Sequence, residues 1–179
     1  MKIARPKTST SPAAKTSPVA AAVPVDTTPV KALLSVHGNA FEPEYVNRIE
    51  EVSRKGWGVT FWGKDSTTNW FHMPFAAPNG LNGATKLSRV FLYFHNTSRS
   101  PILSVHFYDG AKLIKAFDNL GYFGEHASKP DNFNTFRLDK PVELKFGLGI
   151  SVNVGFPADP SEKPSRWILF TSATAEFRE

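Results

Sequence analysis

The chain contains no cysteine. Disulfides and thiolate metal sites are therefore excluded, and nothing in the sequence marks a redox compartment. No apolar run approaches the ~18 residues of a membrane span. The longest apolar patch near the basic N-terminus, Val19 to Val23, is too short for the core of a signal peptide. Neither a membrane segment nor a classical secretion signal is expected, which leaves localisation open between cytoplasm and a larger assembly.

Signatures of chemistry are also missing. There is no Gly-rich phosphate loop, since Gly147-Leu148-Gly149 lies inside a strand pattern rather than at a strand-to-helix turn. No serine sits in a Gly-x-Ser-x-Gly elbow. The histidines His37, His72, His95, His106 and His126 show no zinc-helix spacing. Asp118-Asn119 and Asp131-Asn132 bracket a long loop without matching a defined calcium loop. No pair of carboxylates is singled out for glycoside hydrolysis. The expectation is a protein that is not an enzyme and uses neither metal nor cofactor.

What is present organises around Val142 to Phe156. Every even position is apolar: Val142, Leu144, Phe146, Leu148, Ile150, Val152, Val154 and Phe156. Side chains alternate across a strand with period 2, so this pattern predicts one bent strand, or two sequential strands, in an antiparallel sheet. Leu144, Phe146, Leu148, Ile150, Val152 and Val154 are expected in the core. Gly147 and Gly149 leave the opposite face bare, so another group is expected to cover it closely enough that Gly149→Val would overpack.

Short apolar runs separated by turn residues recur along residues 32–179. Val90-Phe91-Leu92-Tyr93-Phe94 is apolar on both faces, as in a strand covered on both sides. Leu103, Val105 and Phe107 alternate before Asp109-Gly110, predicting a hairpin into Leu113 to Phe117. Residues 42–55 read mostly as strand. These signals predict an all-β fold: a single antiparallel β-sandwich, jelly-roll-like, of about nine or ten strands.

Residues 1–31 differ in kind. They carry Pro6, Pro12, Pro18, Pro24 and Pro29, and five basic residues against Asp26 alone, a charge of +4. The remaining 16 basic and 15 acidic residues nearly cancel. Such a segment cannot bury a core and is expected to be a disordered or extended arm.

The strings His37-Gly38-Asn39-Ala40, Gly56-Trp57-Gly58, Asn69-Trp70-Phe71-His72, Val105-His106-Phe107-Tyr108-Asp109-Gly110 and Gly147-Leu148-Gly149-Ile150-Ser151-Val152 follow in this order. Together they resemble a family of bacterial β-rich domains without an established activity, over about residues 35–156. The resemblance implies a β-domain and a bacterial source.

Two functional readings follow. In the first, the chain is a non-catalytic structural or assembly protein. Val19, Val23 and Val25 of its arm would dock on a neighbouring subunit or protein partner, giving self-association. The arm's charge would support weak, salt-sensitive contact with nucleic acid. In the second, the chain is a lectin-like module for carbohydrate or another small ligand. Trp62 and Trp70 flank a polar loop and would supply stacking surfaces, with His72 and with Tyr122 of the 118–134 loop. Trp57 is expected in the core.

Overall fold

A computed structural model describes residues 28–76, 78, 86–158 and 165–179. The arm residues Val19, Val23 and Val25 lie outside the described residues. Val30 and Lys31, the end of the expected arm, already belong to the first strand.

Twelve strands form among the described residues: β1 Val30–His37, β2 Glu42–Pro43, β3 Ile49–Lys55, β4 Gly58–Gly63, β5 Thr67–Phe75, β6 Lys86–Asn96, β7 Ile102–Asp109, β8 Lys112–Phe117, β9 Gly124–His126, β10 Thr135–Glu143, β11 Leu148–Phe156 and β12 Trp167–Arg178. The excess over the expected nine or ten comes from β2 and β9, two and three residues long, and from the division of the organising stretch. Within residues 42–55, Glu42–Pro43 and Ile49–Lys55 are strand, and between them lie a bend and one 3-10 turn at Val46–Arg48.

The strands make a β-sandwich of two antiparallel sheets. Five strands pair in the order β2-β5-β11-β7-β8. Seven make the other sheet, in the order β10-β6-β12-β4-β3, with β1 added along β12 and β9 along β6. The chain crosses from one sheet to the other at every step along the chain except β3–β4, β7–β8 and β9–β10. This repeated crossing is jelly-roll-like. β12 carries β6 on one edge along most of its length, and shares the other between β4 and β1. At that handover the Phe170 carbonyl oxygen would lie 2.2 Å from a Cβ placed on Gly58, whose φ is +150°. Only glycine fits so close an approach.

Alternation within each strand fills the space between the sheets. Phe71 and Met73 of β5, Val105 and Phe107 of β7, and Ile150, Val152 and Val154 of β11 point inward from one sheet. Phe61 of β4, Leu92 and Phe94 of β6 and Phe170 of β12 meet them from the other. The Phe61 and Phe71 rings stand 4.7 Å apart across the interface. Val90, Phe91 and Leu92 are all buried, as the two-sided pattern of β6 requires.

The organising stretch is two strands, and they belong to different sheets: β10 pairs with β6, and β11 with β5 and β7. Between them the alternation fails. Leu144 is buried, but Phe146 is 81% exposed and is not a core residue. The cause is Asp109. Its carboxylate accepts the backbone N–H groups of Lys145 at 3.0 Å, Phe146 at 2.7 Å and Gly147 at 3.3 Å. Gly147 has φ +123°, which side-chain-bearing residues rarely adopt. The chain therefore turns through 144–147 and Phe146 swings outward. Gly149 also departs from expectation: a Cβ there would meet only Tyr108 Cβ, at the ordinary contact distance of 3.6 Å. That face is open, and valine fits it.

Burial pushes the Asp109 carboxyl up, but the three backbone N–H groups outweigh this and hold it below the usual carboxylate range. A lowered folded pKa adds stability above the ordinary value of about 4, and that stability is lost as pH falls through the folded pKa. Asp109→Ala should cost about 1–3 kcal/mol at neutral pH, the range for stranding buried polar groups. Denaturant melts should show the gap to the parent narrowing below pH ~4. Within the organising stretch, Ile150→Ala should cost about 2–5 kcal/mol. Phe146→Ser should stay within about 0.5 kcal/mol of the parent.

Candidate functional site

The outer face of the five-stranded sheet is built by the residues that alternate with the core. Along β11 these are Gly149, Ser151, Asn153 and Gly155, a strip of small side chains down the middle of the sheet. Register places Pro74, His72, Trp70 and Thr68 of β5 beside them on one side. On the other side β7 places Tyr108, His106 and Ser104. A low central floor thus runs between two rows of larger, mostly aromatic or polar groups.

Trp70 and His106 reach toward each other across β11, their ring centroids 4.8 Å apart at an interplanar angle of 49°. His106 is fixed from behind, its Nε2 2.9 Å from Asp118 Oδ1. The Asp118 carboxyl is held below its ordinary range chiefly by the His106 hydrogen bond and then by that of Ser104. Trp70 is half-buried, so one part of the indole is braced and another faces solvent. Asn153 lies beside it in the ladder, its Oδ1 buried and without a hydrogen-bond partner among the described residues.

His72 continues the face. Its Nδ1 lies 2.9 Å from Ser151 Oγ and its Nε2 3.1 Å from Glu44 Oε2. This Ser–His–Glu chain has the members of a hydrolytic triad but not its surroundings. Ser151 is buried, and the backbone of β11 is paired on both edges, by β5 and by β7. No backbone N–H beside Oγ is left to stabilise an oxyanion.

Beyond Trp70 the floor opens into a groove of about 740 Å³ lined by Arg48, Thr68, Pro101, Leu103, Gly155 and Pro157. Its wall is rigid. Asn69, fully buried, accepts the Tyr45 N–H at 3.0 Å and donates to the Tyr45 carbonyl at 2.8 Å, tying the 44–48 loop to β5. Arg48 lies over the Tyr45 ring at 4.0 Å and donates to the Thr68 carbonyl at 3.0 Å.

Trp70 and His72 thus share one face, and Trp62 and Tyr122 are elsewhere. Trp62 of β4 points outward from the other sheet, opposite Trp167. The chain changes sheets between β4 and β5, so two tryptophans eight residues apart end on opposite sides of the sandwich. Tyr122 packs against Phe133 at 5.3 Å and lines a separate groove of about 1070 Å³ with Phe117, Phe136 and Arg89. Trp57 is 65% exposed at the β3–β4 turn, not in the core. Sequence reasoning missed Ser104, His106 and Asp118 as members of this face. Their only signal was the outward parity of Ser104 and His106 in an alternating strand. Among the described residues no cluster of three or more His, Asp or Glu is placed to hold a metal ion.

A hydrogen bond donated to an ionised carboxylate favours the charged form. His106→Ala should therefore raise the Asp118 pKa toward the ordinary value of about 3.9. Carbon-detected NMR titration of the Asp118 carboxyl checks this, and an unchanged value would mean that the His106 bond does not form.

No family model matches the sequence, and no curated protein matches it. Solved structures do. A xylan-binding module, CBM15, is 11% identical with a TM-score of 0.48 and covers 81% of this chain and 95% of its own. The C-terminal CBM6 of LamC, a marine laminarinase from Zobellia galactanivorans, is 10% identical with a TM-score of 0.39, covering 80% and 98%. The CBM36-1 domain of a multidomain xylanase from the hindgut metagenome of Trinervitermes trinervoides is 13% identical with a TM-score of 0.35, covering 81% and 96%.

Proposed function

We propose that this protein is a non-catalytic carbohydrate-binding module whose ligand lies along the outer face of the five-stranded sheet. The observation that carries the proposal is the braced, half-buried Trp70 standing next to the groove lined by Arg48, Thr68, Leu103 and Gly155. A sugar ring has an apolar C–H face and a rim of hydroxyls. An indole offers a flat apolar body with a negative π-face, which suits the first. Glu44, Thr68 and Asp118 are exposed around Trp70 and offer hydroxyl and carboxylate partners, which suit the second. The groove volume lies within the ~300–1,000 Å³ range of small-ligand sites.

The assembly reading depends on Val19, Val23 and Val25 of the 1–31 arm, which lie outside the described residues, and no feature of the sandwich favours it. A hydrolase reading would need a serine with oxyanion donors or a selected carboxylate pair. Ser151 has no such donors, so the His72–Glu44 pair is read as fixing the face, not as activating a nucleophile.

Truncating an aromatic anchor in an interface costs about 2 kcal/mol or more, and 1.4 kcal/mol is tenfold in affinity. Trp70→Ala should lower retention on a polysaccharide affinity gel at least tenfold and leave the melting temperature nearly unchanged. Trp57→Ala, on the hairpin turn, should alter neither. Parental retention by Trp70→Ala would remove this face as the site. A collapse in melting temperature would make Trp70 a packing residue.

A further inference from the structure

Trp62 and Trp167 stand directly opposite in the register of β4 and β12. Both are half-buried, and their neighbours Phe61 and Ile168 are fully buried, so both indoles project from the outer face of the seven-stranded sheet. Opposed residues in antiparallel strands have Cβ atoms ~5 Å apart, so the two indoles start from neighbouring positions on that face. The row continues across the sheet. On β6 the His95 ring meets Trp167 edge-on, centroids 4.9 Å apart, and His95 Nδ1 lies 2.7 Å from Glu125 Oε2 on β9. On the far side Glu51 of β3 lies opposite Trp62. At ~4.8 Å per strand, the row Glu51–Trp62–Trp167–His95–Glu125 spans about 19 Å.

The charges along this row indicate what it takes. Both ends are carboxylates, which accept hydroxyl hydrogens and repel polyanions. The adjacent cation, Arg166, is mostly buried, donating to the Gly63 carbonyl at 3.4 Å and lying 3.9 Å and 3.8 Å from Glu50 and Asp65. Two apolar planes between hydroxyl acceptors suit an uncharged polyol.

We propose that Trp62 and Trp167 form a second platform, for a neutral glycan, and that the two outer faces of the sandwich let one molecule bridge two glycan chains. The bridging rests on the Trp70 reading; the platform does not. Two sites joined by a rigid sandwich convert modest affinities into strong retention on a polymer, because the second contact is made at high effective concentration.

Affinity electrophoresis of the full chain in gels containing soluble β-glucan, xylan, mannan or galactan tests the platform, with polygalacturonate as an acidic polymer. At least one neutral polymer should retard the parent, and polygalacturonate should not. Trp70→Ala should keep part of that retardation. Adding Trp62→Ala or Trp167→Ala to Trp70→Ala should reduce what remains at least tenfold, and Trp62→Tyr should restore it to within about twofold, which separates a lost ring from a misfolded sheet. Light scattering from polymer mixed with the parent should exceed that from polymer with either single-face variant. The platform is overturned if Trp70→Ala alone removes all retardation, if Trp62→Ala and Trp167→Ala leave retardation and scattering at parental levels, or if no neutral polymer retards the parent. Loss with Trp62→Ala alongside full retention by Trp70→Ala would keep the platform and overturn the Trp70 site.

Discussion

One carboxylate decides where the central strand goes. Three consecutive backbone N–H groups, Lys145 to Gly147, turn toward Asp109 at the end of β7. A single period-2 ribbon from residue 142 to 156 would have stayed in one sheet. The turn on Asp109 ends β10 in the seven-stranded sheet and starts β11 in the other. It also sets the register, since Leu148 then lies opposite Asp109 itself. The site on the outer face inherits its geometry from this contact.

Register in turn decides which side chains look outward. With Leu148, Ile150, Val152 and Val154 inward, the outward residues of β11 are Gly149, Ser151, Asn153 and Gly155. A one-residue slip would put the aliphatic set in water and the small polar set in the core, so the floor is held by the full weight of the hydrophobic interior. Small residues in the centre of a sheet leave room for larger neighbours to lean in. That is why Trp70 and His106, on strands that do not touch, come within 4.8 Å.

Much of this was legible in the sequence, for identifiable reasons. The all-β architecture and the inward set of β11 follow from alternation, a local property. The hairpin at Asp109-Gly110 follows from turn chemistry. What failed was anything requiring a partner distant in sequence. Phe146 fits the alternation, yet its backbone is taken by a carboxylate 37 residues away. Trp62 and Trp70 look like a pair because they are close in the chain, but strand order, invisible to periodicity, sends them to different sheets. β2 and β9 are too short to show a period at all. The candidate face was half legible: Trp70 and His72 by residue type, Ser104, His106 and Asp118 only once β7 lies beside β11.

The five histidines make the same point from the side of chemistry. Spacing offers no reason to group them, and the fold sets His72 and His106 on one face, on either side of Ser151. It gives four of them one carboxylate each: Glu44 for His72, Glu125 for His95, Asp118 for His106 and Asp131 for His126. Three of these rings then lie against an aromatic side chain: Trp167 for His95, Trp70 for His106, Phe94 for His126. An imidazole held by a carboxylate at one edge and pressed on a ring at another is an orienting device. Each carboxylate takes one ring nitrogen and so fixes the plane in which the ring lies. Ordinary ion pairs at a surface add little stability, so their recurrence beside outward tryptophans is better accounted for by what they hold in place. Rings fixed in orientation on strands, and not on loops, lose little conformational freedom when a ligand stacks on them.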